Sequence, residues 1–130
     1  MRRFGLLIFT ALILFPLLFL MTSTRGQNGF NKALNQTYEL ILPPDANATS
    51  PELTRTEWSR TAEWTIHTDQ TWKVYRVWLL KQIGGTYRIL SETEFQLELR
   101  QTFHAEIHDI KLIADEVEGK IHVVYSVSLW

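Results

Sequence analysis

The chain has 130 residues, a formal net charge of −1 and no cysteine. The length suits a single domain, and the lack of cysteine excludes disulfides, zinc–thiolate sites and thiol catalysis. When Arg2 and Arg3 are set aside, 11 basic side chains face 14 acidic ones, a balance that argues against a nucleic-acid partner.

Residues 4–21 form an uncharged, apolar run directly after Arg2 and Arg3. As a helix this run would be about 27 Å long at ~1.5 Å per residue, close to the roughly 30 Å of a bilayer core. It therefore predicts a membrane contact through residues 4–21. Two interpretations of residues 1–24 stay open, an uncleaved signal-anchor and a cleaved signal peptide. Both place the rest of the chain on the extracytoplasmic side, either membrane-anchored or, after cleavage, secreted.

The segment 25–37 is polar and contains several Gly and Asn residues, which predicts a tether, and 38–130 is predicted to be one domain. Within that domain the short aromatic and branched stretch 38-YELIL-42 predicts a strand. The sequence Ser50-Pro51-Glu52 has a capping hydroxyl, a proline and an acid in the right order for a helix start. A short helix is therefore expected after residue 50.

The stretch 61–67 alternates, with Ala62, Trp64 and Ile66 on one side, and predicts a half-buried strand. The periodic segment 69–85 predicts the main helix, which ends at a Gly pair. Three aromatic residues of this helix are either ordinary core or the lining of a ligand pocket. They are Trp72, Tyr75 and Trp78.

The remaining sequence alternates in four runs, at residues 86–91, 93–101, 102–114 and 121–130, and each predicts a strand. One helix followed by consecutive strands indicates an α+β fold. The predicted architecture is an antiparallel sheet of about five strands packed by one main helix, preceded by the N-terminal hydrophobic helix. Such a sheet would have one face against the helix and the other in solvent.

The segment 103-FHAEIHD-109 places His104, Glu106 and His108 at every second position. On a strand these side chains share a face, and two imidazoles with a carboxylate suit a divalent metal. The other interpretation is a solvated sheet face with cross-strand pairs. Because the apolar positions change parity between Ile107 and Ile110, a β-bulge is predicted at His108–Asp109, with His104 and Glu106 in solvent.

Residues 107-IHD-109 and 121-IHVVYSVSL-129 resemble two motifs of a family of small bacterial and plastid proteins of unassigned function. The motifs of that family are Phe-x-Asp-Asp and a later I-x-V-R-S-x-S-R strand, and the resemblance covers residues 69–128. Tyr125 and Leu129 stand where the family has arginines. The resemblance implies a similar fold and an uncharacterised, membrane-associated protein.

The sequence contains no Gly-rich phosphate loop and no nucleophile elbow, so neither a catalytic centre nor a cofactor is predicted. The first functional hypothesis is an exported, membrane-tethered domain that acts without catalysis through contacts with a protein partner. The second is a domain that binds a small ligand or lipid in a cavity between helix and sheet. The third is a divalent-metal-binding domain.

Overall fold

The computed structural model describes residues 27–129, which form two helices and seven strands. Helix α1 comes first, and helix α2 separates the first three strands from the last four. The elements in chain order are α1 (Gln27–Leu40), β1 (Asn47–Ala48), β2 (Glu52–Arg55), β3 (Ser59–His67), α2 (Trp72–Ile83), β4 (Arg88–Glu92), β5 (Gln96–Phe103), β6 (Glu106–Asp115) and β7 (Lys120–Leu129).

All seven strands belong to one antiparallel sheet with the order β1-β3-β7-β6-β5-β4. Strands β1 and β2 share the outer edge of β3, β1 beside Ile66–His67 and β2 beside Arg60–Glu63. The long strands β6 and β7 pair over ten residues each and occupy the middle of the sheet. The short strands β1, β2 and β4 lie at the two edges, where few hydrogen bonds hold them.

One face of the sheet is covered and the other is open, as the alternation along each long strand requires. The covered face carries the large apolar side chains, and both helices pack against it in a single core. Its fully buried apolar positions are Ala62, Trp64, Ile66, Leu97, Leu99, Ile110, Leu112, Ile121, Val123 and Tyr125. The open face carries cross-strand ion pairs, including Arg100–Asp109.

Helix α1 packs through a stripe of Phe30, Ala33, Leu34 and Thr37, which recur at the i, i+3, i+4 and i+7 positions of one helix face. The Phe30 ring stacks on Tyr125 of β7, with 6.0 Å between ring centroids. Burial of these side chains stabilises the helix against the sheet, since a buried Leu or Phe contributes about 1.5–3 kcal/mol. The stripe therefore makes α1 part of the folded domain.

Helix α2 begins at Thr71, whose side-chain hydroxyl accepts a hydrogen bond from the Val74 backbone N–H. It ends at Gly84, whose φ of 59° is favourable only for a residue without a Cβ. The sequence placed this helix correctly, and it also placed the buried face of β3 correctly. The helix predicted from residue 69 begins two to three residues further along the chain.

The predicted fold class is wrong. In place of an α+β sheet of about five strands with one main helix, the structure is a seven-stranded antiparallel sheet with two helices. The predicted tether at 25–37 is also wrong from residue 27 onward, because this segment forms most of α1. The strand predicted at 38–42 is the end of that helix, and the helix predicted after Ser50 is strand β2.

The apolar run at 4–21, predicted as a signal or anchor helix, lies outside the described residues. Within residues 27–129, neither helix is both long enough and apolar enough to cross a membrane. The prediction of a transmembrane helix is corrected accordingly, because the described chain consists of a sheet and two short helices.

Candidate functional site

A two-residue turn between β5 and β6 determines which side chains face the helices. His104 and Ala105 form this turn with φ angles of 51° and 63°, and Phe103 pairs directly with Glu106. Both residues lie in the left-handed region, as a type I′ hairpin requires. The register then runs without a break through His108 and Asp109. The predicted β-bulge is therefore wrong, and the turn alone accounts for the change of parity.

Because of this register, Glu106 and His108 lie on the covered face together with Ile110 and Leu112. Glu106 is 1% exposed and His108 is 3% exposed, so the prediction that Glu106 lies in solvent is wrong. Gln101 of β5 is the direct cross-strand neighbour of His108 and is buried on the same face. Three polar side chains thus lie at the end of a surface that is otherwise apolar.

Glu106, His108 and Tyr125 form a buried hydrogen-bonded chain. His108 Nε2 lies 3.3 Å from Glu106 Oε1, and His108 Nδ1 lies 3.1 Å from the Tyr125 hydroxyl. The Glu106 oxygen that faces the ring is treated as an acceptor, so we assign the ring hydrogen to Nε2, which donates to Glu106. The Tyr125 O–H then donates to Nδ1. This assignment gives the neutral imidazole both of its partners.

The pKa values of this chain follow from its burial. Loss of solvent lowers the pKa of His108 below its ordinary value, although the hydrogen bond and charge of Glu106 and the charge of Asp109 act in the opposite direction. Burial raises the pKa of Tyr125 far above its usual range, and nearby Tyr87 and Glu106 raise it further. At neutral pH the chain therefore holds a neutral imidazole and a neutral phenol.

Helix α1 covers this chain with a hydroxyl. Thr37 is fully buried and lies close enough to Tyr87 and Tyr125 to lower the pKa of both phenols, against the larger effect of burial. This lowering is the effect of hydrogen bonding from Thr37, but the contact is poorly aligned, and neither Thr37 Oγ1 nor Tyr87 Oη makes a hydrogen bond of good geometry within the described residues. Together these side chains form a polar layer between α1 and the sheet. Its members are Thr37, Tyr87, Gln101, Glu106, His108 and Tyr125.

A cleft of about 350 Å³ reaches the polar layer from the side of the sheet. It lies where the start of β4 separates from the end of β5, and residues 85–88 and 100–102 line it. Two of these, Tyr87 and Gln101, are members of the polar layer. The Gln101 side-chain N–H donates to the Thr86 carbonyl across the cleft, at 3.1 Å. The cleft thus provides a path from solvent to buried polar groups.

The structure separates the three residues predicted as metal ligands. His104 lies in the exposed turn, where its ring stacks on Phe103, while Glu106 and His108 lie on the covered face. Within residues 27–129 no group of three or more His, Cys, Asp and Glu side chains is placed to hold a metal ion. The pair Glu106–His108 is a hydrogen bond in a protein interior.

The predicted ligand-binding aromatics of α2 pack within or against the core. Trp72 and Tyr75 are buried, Trp78 is half-buried, and their rings follow one another at centroid distances of 6.0 and 5.8 Å. The Tyr75 hydroxyl donates to the Ile41 carbonyl at 2.7 Å, which ties α2 to the end of α1. The cleft beside the polar layer is lined by residues 85–88 and 100–102, so the candidate ligand site lies between the start of β4 and the end of β5 and not at α2.

Comparisons with known proteins found no matching family, no matching curated protein and no matching solved structure. The resemblance of residues 69–128 to the bacterial and plastid family therefore stays a prediction. At one position where that family has arginine, this chain places the buried phenol of Tyr125.

Sequence reasoning missed most of the polar layer, although some signals were present. Thr37 continues the stripe of α1, and Tyr125 alternates with Val123 and Val127 in β7. Tyr87 and Gln101 carry no such signal, because a single buried polar residue at a strand end looks like any exposed one. The layer is recognised only when the register brings the strands together.

Proposed function

We propose that this protein binds a small polar molecule in the layer between α1 and the sheet. The observation that carries this proposal is a buried cluster of hydrogen-bonding side chains in which two neighbouring hydroxyls, those of Thr37 and Tyr87, make no hydrogen bond of good geometry in the described chain. An unsatisfied buried polar group costs about 1–3 kcal/mol. A bound molecule with its own donors and acceptors would remove that cost.

The chemistry of the layer suits a polar ligand better than a lipid. The chain of Tyr125, His108 and Glu106 fixes the orientation of each group, and fixed donors and acceptors confer selectivity on a binding site. No described residue presents an activated nucleophile, because the Tyr125 phenol holds its proton and already donates to His108. Binding is therefore the function that this arrangement supports, without a covalent step.

The alternative is a polar network that only stabilises the fold. In that case Tyr87→Phe and Thr37→Val remove groups that have no partner, so each variant is neutral or more stable, and no compound binds. If the layer binds a ligand, the same variants are stable yet bind more weakly. The two outcomes differ in binding and not in folding.

The decisive experiment is a thermal-shift screen of small polar compounds against the protein and both variants. A ligand at about 100 times its Kd stabilises the native state by roughly 2.7 kcal/mol, which is easily measured as a rise in Tm. We expect hits whose shift is reduced in Tyr87→Phe and unchanged in Leu53→Ala, a substitution on the opposite edge of the sheet. A broad screen without hits would contradict the proposal. So would hits whose shift in Tm is reduced equally in Tyr87→Phe and Leu53→Ala.

A second candidate function, contact with a protein partner, is favoured by the tip of the β2–β3 hairpin. Trp58 at this tip is 66% exposed, and Leu53 of β2 is 54% exposed. Exposed tryptophans are frequent hot spots of protein interfaces. A photo-crosslinking residue at position 58 would test this in cells, with the same residue at Glu118 as control. A discrete adduct from position 58 alone is expected, and equal labelling from both positions would count against it.

A further inference from the structure

We infer that the cleft beside the polar layer recognises an oxyanion, a carboxylate or phosphate group, through Arg88 and Arg100. This inference rests on the proposed small-molecule function and names the class of ligand that the site takes. Arg88 of β4 and Arg100 of β5 are directly opposite each other, so two guanidinium groups share one face.

Like charges directly opposite each other on neighbouring strands destabilise a sheet. Here one of the two is compensated: Asp109 of β6 accepts hydrogen bonds from Arg100 Nε and Nη2, at 2.8 and 2.9 Å. The charge of Arg88 is not compensated, since Arg88 makes no ion pair within residues 27–129. The cleft therefore carries one positive charge more than its described acidic neighbour balances.

The remaining donors are suitably arranged for an anion. A guanidinium has five N–H groups, and Asp109 occupies only two of those on Arg100. The pairing with Asp109 also holds Arg100 in place, so an arriving anion meets an ordered donor. Planar guanidinium groups bind carboxylates and phosphates in a bidentate manner. An oxyanion between Arg88 and Arg100 would complete the charge balance of this edge.

The position and size of the cleft set further limits on the ligand. Both arginines line it together with Tyr87 and Gln101, which are buried on the covered face. A volume of about 350 Å³ is at the lower end of small-molecule sites. The ligand is therefore a small organic anion whose charged group lies at the two arginines.

The test uses two probes of nearly equal shape, benzoate and benzamide, with phenyl phosphate as a third. Binding is followed by titration with amide chemical shifts of residues 85–88 and 100–102. We expect benzoate or phenyl phosphate to bind at least tenfold more tightly than benzamide. Which of the two anions binds better distinguishes a carboxylate site from a phosphate site.

The variant Arg88→Gln removes the charge of an exposed side chain and should fold normally, which its Tm verifies. We expect it to weaken anion binding at least tenfold and to leave benzamide unchanged. The matched control is Arg55→Gln, an exposed arginine on β2 at the other edge, which should change neither. A change of less than twofold in Arg88→Gln, or benzamide binding as tightly as both anions, would overturn the inference.

The two proposals fail in different ways. If neutral compounds from the thermal-shift screen bind at the cleft but the anions do not, the small-molecule function stands and the oxyanion inference is wrong. If neither class of compound shifts these amides, both are wrong. If anions bind in a manner that depends on Arg88, the inference holds.

Discussion

The turn between β5 and β6 holds two residues that are unfavourable in its geometry. His104 and Ala105 both have positive φ, where the Cβ of an L-residue costs roughly 1–2 kcal/mol. A hairpin of this type usually has Asn-Gly or Asp-Gly at these positions. The strain is compensated by the pairing of β5 with β6, which continues over eight residue pairs.

Replacing Ala105 with glycine should therefore stabilise the protein. Glycine has no Cβ to strain, and its larger freedom in the unfolded chain subtracts only part of the gain. We expect the free energy of unfolding in urea to rise by about 0.5–1 kcal/mol. The control is Ala46→Gly, at a position without positive φ, which should destabilise. A loss of stability in Ala105→Gly would show that the turn geometry is misassigned.

The buried imidazole of His108 should make stability depend on pH. Its pKa is lowered in the folded state, since burial outweighs the charges of Glu106 and Asp109. The unfolded chain, with an ordinary pKa near 6.5, then binds a proton more readily than the folded one. Stability is therefore full above about pH 6.5 and falls as the pH decreases toward the folded pKa.

This dependence can be measured by urea unfolding at several pH values between 5 and 8. In His108→Gln the part of the slope below pH 6.5 that belongs to this residue should disappear. The matched control is His122→Gln, which removes an exposed imidazole that lies 3.3 Å from Glu63 on the open face. An unchanged slope in His108→Gln, or an equal change in both variants, would refute the assignment.

The failure of sequence reasoning at this point also has a residue-scale cause. The alternation of His104, Glu106 and His108 predicts one strand, yet the first of these lies in a turn that carries neither glycine nor asparagine. Without a turn signal, the change of parity predicts a bulge. A hairpin whose turn residues are strained is invisible to rules based on favourable turn residues.

At the scale of elements, α1 decides whether the polar layer is closed. Its stripe of buried side chains lies over Tyr125, and Tyr38 near its end packs on Trp64 with 5.3 Å between ring centroids. The Tyr38 hydroxyl also donates to the carbonyl groups of Ala48 and Thr49. The helix is thus fixed at both ends to different parts of the sheet.

Truncating the stripe should therefore cost as much as a substitution in the core. Leu34→Ala removes a buried side chain, and we expect the free energy of unfolding to fall by about 2–5 kcal/mol. Lys32→Ala, on the exposed face of the same helix, should stay within about 0.5 kcal/mol. Urea unfolding of both variants checks this. If Leu34→Ala were as mild as Lys32→Ala, α1 would not belong to the cooperative unit.

The helix could have been found in the sequence, whereas β2 could not. The spacing of Phe30, Ala33, Leu34 and Thr37 is helical, but the Gly and Asn residues around it favoured a tether. In β2 all four side chains are exposed, so there is no alternation to detect. Its strand conformation comes from pairing with β3, and Ser50-Pro51-Glu52 carries a helix-start signal that tertiary pairing overrides.

Across the whole sheet, the central strands are held more firmly than the strands at the two edges. Strands β3, β7 and β6 each have a neighbour on both sides over most of their length. The edge strands β2 and β4 have one neighbour and mostly exposed side chains. The alternation of the central strands was readable from the sequence because burial on one face imposes it. The edges were less predictable because nothing buries them.

This division predicts the pattern of amide hydrogen exchange. Regions with few buried contacts open at lower free energy than the core, so β6 and β7 should exchange most slowly and β2 and β4 most rapidly. Helix α1 should lie between them, because it has no strand partners and is held by one stripe of side chains. Uniform protection across all elements would contradict this hierarchy.

Ligand binding should change the exchange pattern at one place only. A molecule in the polar layer would contact both Thr37 of α1 and the strands beneath it, so α1 could open only after the ligand leaves. Exchange in α1 and at the start of β4 should slow by the factor that the ligand concentration and Kd dictate. The β2–β3 hairpin, at the opposite edge, should not change. Slower exchange in the hairpin alone would instead place the binding site at Trp58 and favour the second candidate function.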